Sequence, residues 1–570
     1  MAWLQLRQES FAGGMNLRDE KRRLGENESQ VIEDFFLDRH GVLYLPKANV
    51  GFNSLALTSR VVGIFRHYCE TAGEKRLVAV AGQYALRGVD ASGVFQVLQA
   101  NWQDAARPAR FLNARHYTFF MDGKSTVKAY HTVSGGFADV IPAVPSTPTA
   151  AFTAGWGALS GYFVYKVTHQ NAIGESNASA SAAITVTAGS PPVQIGNMTA
   201  YGPGDEYTNI YRCYGLSAEA VVDANFYLIG QTKNTTYVDT LPGGAEPNTV
   251  YEDNYFNATA KFGVLWRDRA FWAKGDEIYV SEPLIPTACH LVIVVPGEGE
   301  ITGLAPLGQM LVIFQPNSVW ALTGYDQDDF AVSPMVETVG CIAPNTIVEF
   351  ENNVWWMGLE TVYQMDPGGQ VQNIGEPIRP VIRDFPRNRV EDYAVAGYYD
   401  GRYYLALDDG TTKQTYVYDI ITRGWTRLSR AFSAFARLNH PHDTTYATGM
   451  GAFMAGDDSG FIHGIQTAST RLTSGQVVTA ERDGGAPEVV KLWRAMRLDG
   501  TGAAVLSIHA TADAKWQKVA PFYLNAGDRR LLNQTLQGTG LEVWFYVSNT
   551  GGSPFSLRGL TIDASPRPGR

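Results

Sequence analysis

Met310-Leu-Val-Ile-Phe314, the turn Gln315-Pro-Asn-Ser318 and Val319-Trp-Ala-Leu-Thr323 decide how this chain is read. Two runs of aliphatic, β-branched and aromatic residues flank four turn-formers, which is the pattern of a β-hairpin. The same unit recurs at Arg76–Asp90, Thr118–His131, Ala270–Ser281, Asn353–Asp366, Arg402–Asp419 and Ala452–Ile465. Hairpin starts at 76, 118, 270, 310, 353, 402 and 452 step by 42, 152, 40, 43, 49 and 50 residues. Removing an insertion of about 100 residues from the long step leaves a uniform period of roughly 40 to 50, that of one four-stranded propeller blade. A lone sheet of this size cannot bury both faces, whereas sheets stacked around an axis bury each face on a neighbour. The expected fold is therefore all-β, a propeller of six to eight blades. A pair of ordinary β-sandwiches with coincidental spacing is the alternative.

The insertion is marked by composition. Pro142, Pro145 and Pro148 form an entry linker, and residues 151–240 then hold only nine charged residues, half the density of the whole chain. Short strand-like pieces at 161–168, 183–187, 193–198, 207–214, 226–231 and 236–239 predict a β-sandwich. Tyr162-Phe-Val-Tyr-Lys-Val-Thr168 with Asn171-Ala-Ile-Gly-Glu-Ser176 is similar to a fibronectin type III strand and turn. After Gln466 the hairpin rhythm stops. Strands at 493–498, 504–510, 541–547 and 556–562, anchored by Trp516 and Trp544, predict a second sandwich with a flexible tail, Ser565-Pro-Arg-Pro-Gly-Arg570. The expected divisions are 1–60 (a segment closing or anchoring the propeller), 61–141 (first blades), 142–245 (inserted sandwich), 246–468 (remaining blades) and 469–570 (C-terminal sandwich). One short helix is expected at Asn27–Phe36, where Val31/Phe35 and Ile32/Phe36 form i,i+4 apolar pairs behind an acidic first turn.

Composition narrows the function. The 570 residues carry a net charge of −10, which argues against a protein that grips phosphate backbones by bulk electrostatics. The longest apolar runs, such as Leu291–Val295, reach five residues, far below the roughly 20 of a spanning helix. The opening Met1-Ala-Trp-Leu-Gln-Leu-Arg7 has no basic region before an apolar stretch, so no secretion signal is expected. Cys69, Cys213, Cys289 and Cys341 lie far apart, which predicts neither a disulfide framework nor a zinc site. Folding in a reducing cytoplasm is the expectation.

Few residues suggest chemistry. His440-Pro-His442-Asp443 has metal-ligand types but reads as a polar loop, because no further His or Cys lies close in sequence. Asp326-Gln-Asp328-Asp329 lacks the glycine and distal glutamate of a calcium loop and reads as a solvated turn. Asp457-Asp458-Ser-Gly reads as a hairpin turn. No nucleophile elbow or phosphate-cradling loop is present, so no catalytic residue, cofactor or metal is expected, although carboxylates that meet only in space keep a propeller glycosidase open. Arg18, Lys21, Arg22 and Arg23 alternate with Asp19, Glu20, Glu26 and Glu28, which reads as a solvated or salt-bridged segment rather than a nucleic-acid patch. Val354-Trp-Trp-Met357 reads as packed core.

A resemblance adds to this reading. Phe11-Ala-Gly-Gly-Met-Asn16, then Leu24-Gly-Glu-Asn-Glu28, Phe35-Phe-Leu-Asp38 and Gly41-Val-Leu-Tyr-Leu-Pro46 resemble the opening of tail proteins of tailed bacteriophages. It continues through Val339-Gly-Cys-Ile-Ala-Pro-Asn-Thr-Ile-Val348, Trp355-Trp-Met-Gly358, Ile374-Gly-Glu-Pro-Ile378, Gly401-Arg-Tyr-Tyr-Leu405 and Tyr418-Asp-Ile-Ile-Thr-Arg-Gly-Trp425. In order along the chain these resemble the propeller-bearing nozzle, or tail hub, proteins of short-tailed phages, over about residues 8–48 and 262–465. One departure is Leu45-Pro-Lys47, where the family usually has Arg-Pro-Gly. The family's Glu-Asn-Glu element is a helix. The resemblance implies a structural virion protein of the phage tail, assembled in the host bacterial cytoplasm as a hexameric ring below the portal and adaptor. It also implies fibre or spike partners and passage of double-stranded DNA during ejection, without sequence readout. Assembly positions carried over are Phe11, Gly13, Gly14, Asn16, Glu26, Asn27, Glu28, Gly340, Trp355, Trp356, Tyr418, Asp419 and Trp425. A receptor- or glycan-binding tail protein is the alternative.

Overall fold

The computed structural model describes residues 4–69, 74–89, 93–131, 136–171, 173–198, 205–215, 226–242, 250–251, 254–437, 453–472, 474–483, 489–502, 505–512, 515–523, 530–540, 542–549 and 555–566. The chain is all-β. Each of the seven expected hairpins forms the two middle strands of a four-stranded antiparallel meander. In the fourth meander the strands Gly303–Leu307, Met310–Phe314, Val319–Thr323 and Ala331–Val336 pair in sequence order. The other six begin at Val61, Arg110, Phe262, Val348, Ala394 and Ala434.

Strand pleating explains the all-apolar runs. Leu311 and Ile313 pack toward the third meander, while Val312 and Phe314 pack toward the fifth. Trp356 faces the fourth meander and Trp355 the sixth; Tyr404 faces the seventh meander and Tyr403 the fifth. Successive side chains point to opposite faces, and both faces are buried. A cluster joining Leu77 and Ala79 of the first meander to Ala434 and Met454 of the seventh closes the cycle. This cyclic stack is compatible with a β-propeller. The last meander takes its fourth strand from the other end of the described chain, Val50–Gly51 beside Ile462–Gly464. Buried Asn53 fastens it, accepting from the Ile462 amide at 2.7 Å and donating to Gly460 O at 3.0 Å.

The insertion is a two-sheet sandwich around Phe163, Tyr165, Val167, Ile195 and Ile210. Its strands fall where expected, with two more at Thr149–Phe152 and Val250–Tyr251. Its turn at 171–176 docks on the ring, with Thr287 Oγ1 donating to Ile173 O at 2.6 Å. Among the described residues no helix is long and apolar enough to cross a membrane. All four cysteines are buried and none forms a disulfide.

The two ends of the chain depart from the sequence reading. Asn27–Phe36 is not a helix: Glu28–Glu33 is a strand, paired with Gly475–Thr479 on one side and touching Trp425–Leu428 on the other. Adjacent β-branched Val31 and Ile32 suit a pleated surface, and an available strand edge overrides weak i,i+4 pairing. Residues 4–44 do not simply brace the ring. Leu4–Gln8 and Leu43–Tyr44 pair with Phe555–Pro566, so the sandwich near the C-terminus is built from both ends of the chain. Trp544 is not a core anchor; it faces outward under Lys21, whose Nζ sits 3.8 Å from the ring centroid, and Trp493 is the buried indole. The side chain of Trp516 lies outside the described residues. Ser565 and Pro566, expected in the tail, belong to the last strand, paired with Leu492 and Lys491, and residues 567–570 lie outside the described residues. Two short helices that the sequence reading missed, Arg379–Asp384 and Val390–Tyr393, connect the fifth and sixth meanders.

Candidate functional site

The positions carried over from the resemblance gather largely in one joint between the ring and the two-ended sandwich. Gly14–Met15 runs parallel to Glu28–Ser29. Gly13 N donates to Asn27 O at 3.1 Å, and Phe11, fully buried, donates its amide to Gly41 O at 2.8 Å. Gly14 has φ +68°, and a Cβ there would lie 2.5 Å from Trp425 N, so both its conformation and its contact demand glycine. Asn16 is the polar centre. Its Oδ1 accepts from the Arg18 and Asp19 amides at 3.0 and 3.2 Å, and its Nδ2 donates to Glu28 at 3.2 Å. Glu28 also accepts from Gly25 N at 2.7 Å. Glu26 and the Asn27 side chain are exposed and take no part.

The ring side of the joint is the turn after Tyr418. Asp419 accepts from the Ile421 and Thr422 amides at 3.1 and 3.0 Å and meets Arg402 at 3.2 Å. Arg402, almost fully buried, also donates to Leu37 O and to the Tyr44 hydroxyl, at 3.1 and 3.0 Å. Trp425 is buried, its Nε1 donating to Ile374 O at 2.7 Å and its ring 5.1 Å from Tyr418. Trp355 joins the same apolar cluster and stacks on Tyr398 at 5.6 Å. Gly340 and Trp356 are elsewhere: Trp356 Nε1 donates to Gly340 O at 3.0 Å at the interface of the fourth and fifth meanders. Arg402 stood within the flagged Gly401–Leu405 stretch, whereas the sequence reading missed the Glu33–Arg427 pair at 2.6 Å and Asp34, which accepts from Ser429 N at 2.9 Å. Glu376, bound to Arg18 at 2.9 Å, stood within the flagged Ile374–Ile378 stretch.

Of the mixed charges of 18–28, Arg18 pairs with Asp19 and Glu376, and Arg22 reaches Glu542 at 2.7 Å and Glu481 at 3.4 Å, in line with a solvated or salt-bridged segment. Burial, and then Glu542, push the Glu481 carboxyl above its usual range. Asp329 accepts from the amides of Tyr325 and Asp326 at 2.6 and 2.8 Å, satisfying its own turn. Asp457 does the same for Ser459 and Phe461, both at 2.9 Å. His440, His442 and Asp443 lie outside the described residues, and no metal-binding group of three or more His, Cys, Asp or Glu occurs among the described ones.

A second feature lies on the ring's axis, where the first strands of six meanders and the segment Pro344–Ile347 that leads into the fifth enclose a cavity of about 340 Å³. Val390–Tyr393 crosses one mouth. Glu391 meets Lys261 at 2.8 Å and its carbonyl accepts from Asn345 at 2.6 Å, while Asp392 O accepts from Arg60 at 2.5 Å. These partners precede the third, fifth and first meanders, so one helical turn ties three of them together. Burial works against the charge of Glu391, but Lys261, with Arg110 and Arg107, holds the carboxyl below its usual range. The volume suits a small molecule, not a duplex. The sequence matches no family model and no curated protein.

Proposed function

We propose that the chain is a structural virion protein, a subunit of the tail nozzle of a short-tailed bacteriophage, in which a seven-bladed propeller serves as one wall unit of an oligomeric conduit for DNA ejection. The observation that carries this reading is the joint at Gly14. Elements resembling the nozzle family at 11–16 and 24–28 lie more than three hundred residues from those at 374–378 and 418–425, yet Gly14, Asn16, Glu28, Glu376 and Trp425 pack as one unit. A joint of this kind would hold ring and sandwich rigid under load. On this reading DNA passes between subunits, because the axial cavity of each ring is small and crossed at one mouth. The net charge of −10 suits a wall along which DNA slides, since few phosphates would be neutralised. Negative-stain microscopy with a native mass measurement tests it. Rings of about six chains around an open lumen are expected, alone or with the adaptor; chains that stay monomeric even with adaptor present would sink the proposal.

One observation favours a receptor-binding reading of the inserted sandwich: Trp156 is fully exposed there, with Phe152 half exposed. Deleting residues 149–242 separates the two readings. A nozzle should still assemble, whereas a recognition protein should lose host binding.

A further inference from the structure

Arg110 opens the first strand of the second meander and lines the axial cavity. Its guanidinium packs over the Phe262 ring at 4.6 Å, and its Nη2 is cut off from solvent without a hydrogen-bond partner. Among the described residues the Arg110 side chain makes no hydrogen bond or ion pair. The neighbouring cations are all engaged: Arg60 with Asp458 at 3.1 Å, Arg107 with Asp122 at 2.5 Å and Lys261 with Glu391 at 2.8 Å. The carboxylates within electrostatic reach of Arg110 are Glu391, Asp122 and Asp392. The first two are held by Lys261 and Arg107, and Asp392 makes no ion pair among the described residues. Burial lowers the guanidinium pKa only to about 10, so Arg110 stays charged at neutral pH.

Arg110 is half-buried, and a cation without a partner beside a cavity favours an anion in that space. The wall also carries Asn345 and Ser433, whose side chains are already bonded to Glu391 O and Val61 O, and between them lie the apolar Phe65, Phe111, Leu304, Val395 and Phe435. A planar guanidinium pairs best with a planar carboxylate, and apolar walls favour an organic body over an inorganic ion. We propose that the axial cavity binds one small organic carboxylate, its carboxylate on the part of the Arg110 guanidinium that reaches the cavity, away from the shut-off Nη2, and its apolar body among the aromatic and aliphatic side chains of the inner strands. This inference does not depend on the nozzle reading, since any protein with this ring would carry the site.

Titration calorimetry of the full chain with sodium benzoate and sodium hexanoate tests it, with inorganic phosphate and neutral benzamide as contrasts. Saturable binding of a carboxylate at one site per chain is expected. Arg110→Gln should weaken it by at least about tenfold through loss of the charged hydrogen bonds. Lys124→Gln, an exposed cation nearby, should leave it unchanged. Asp392→Asn should tighten it by removing a competing negative charge, and this arm decides the matter should Arg110→Gln fail to fold. No saturable binding, phosphate or benzamide binding as well as the carboxylates, equal binding by Arg110→Gln, or no tightening by Asp392→Asn would overturn the proposal.

Discussion

The ring and the two-ended sandwich are both antiparallel β-structure, but they are assembled on different scales. In the ring, six of the seven meanders are built from strands consecutive in sequence, and most of their pairs cross turns of a few residues. In the sandwich, residues 4–44 pair with residues 475–566, closing loops of more than four hundred residues. Local pairing lets each meander's turns set its register. Distant pairing leaves register to a few fixed contacts, such as Gly14 against Trp425 and Arg402 against Leu37 O. Damage to those contacts should therefore uncouple two regions, whereas damage between meanders should loosen one interface.

The largest effect is expected at the joint. Gly14→Val places a β-branched side chain at φ +68° and drives it into the Trp425 backbone. A loss of roughly 4 kcal/mol is expected, since strain and overpacking combine. Urea unfolding followed by tryptophan fluorescence should split into two transitions as ring and sandwich separate. A single, unshifted transition would mean that the joint does not couple them.

Next comes the latch that closes the ring. Asn53→Ala leaves the buried Ile462 amide and Gly460 carbonyl without their side-chain partner. This should cost about 2 to 3 kcal/mol. Hydrogen exchange should rise first in the seventh meander, and an even rise across the ring would contradict a local latch.

The interface of the first two meanders should respond to pH. His67 is fully buried, its Nδ1 2.8 Å from Thr118 Oγ1 and its ring 4.7 Å from that of Tyr130. Burial, helped by the charges of His131 and Arg76, lowers its pKa to about 4. The unfolded chain, with an ordinary histidine pKa near 6.5, then binds more protons than the folded chain between about pH 6.5 and 4. Stability is full above pH 6.5 and is lost as pH falls through this window, by about 2 kcal/mol between pH 7 and 5. His67→Gln should flatten that part of the stability profile; an unchanged slope would remove His67 as its source.

The smallest effect is expected at Arg22, whose side chain is two-thirds exposed although it bridges Glu481 and Glu542. Arg22→Ala should leave the urea midpoint at neutral pH within experimental scatter, because exposed ion pairs contribute little. A clear loss would show that the sandwich relies on surface charge as the ring does not.

What was readable in the sequence follows the same division. Met310–Phe314 and Asn353–Met357 announced strands buried on both faces, and all seven hairpins lie where their turns put them. The Asp457 turn and the charge-poor insertion were equally local signals. Glu28–Glu33 misled because acidic residues before i,i+4 apolar pairs describe a helix as well as they describe a strand waiting for an edge. Trp544 misled because an aromatic on a strand declares burial but not which face is covered, and Lys21 covers the outer one. Most joint residues were named in advance through their resemblance to a family, yet Asp34 and the Glu33–Arg427 pair carried no pattern of their own.

Sequence alone determined the strands, their turns and the repeat, because these depend on side-chain alternation and on turn-formers within a few residues. Tertiary structure decided that the chain's two ends share one sandwich, that Asn53 latches the ring and that Arg110 sits unpaired in the axial cavity. Each of these depends on groups hundreds of residues apart, or on a neighbour that is missing, and neither leaves a trace in local composition.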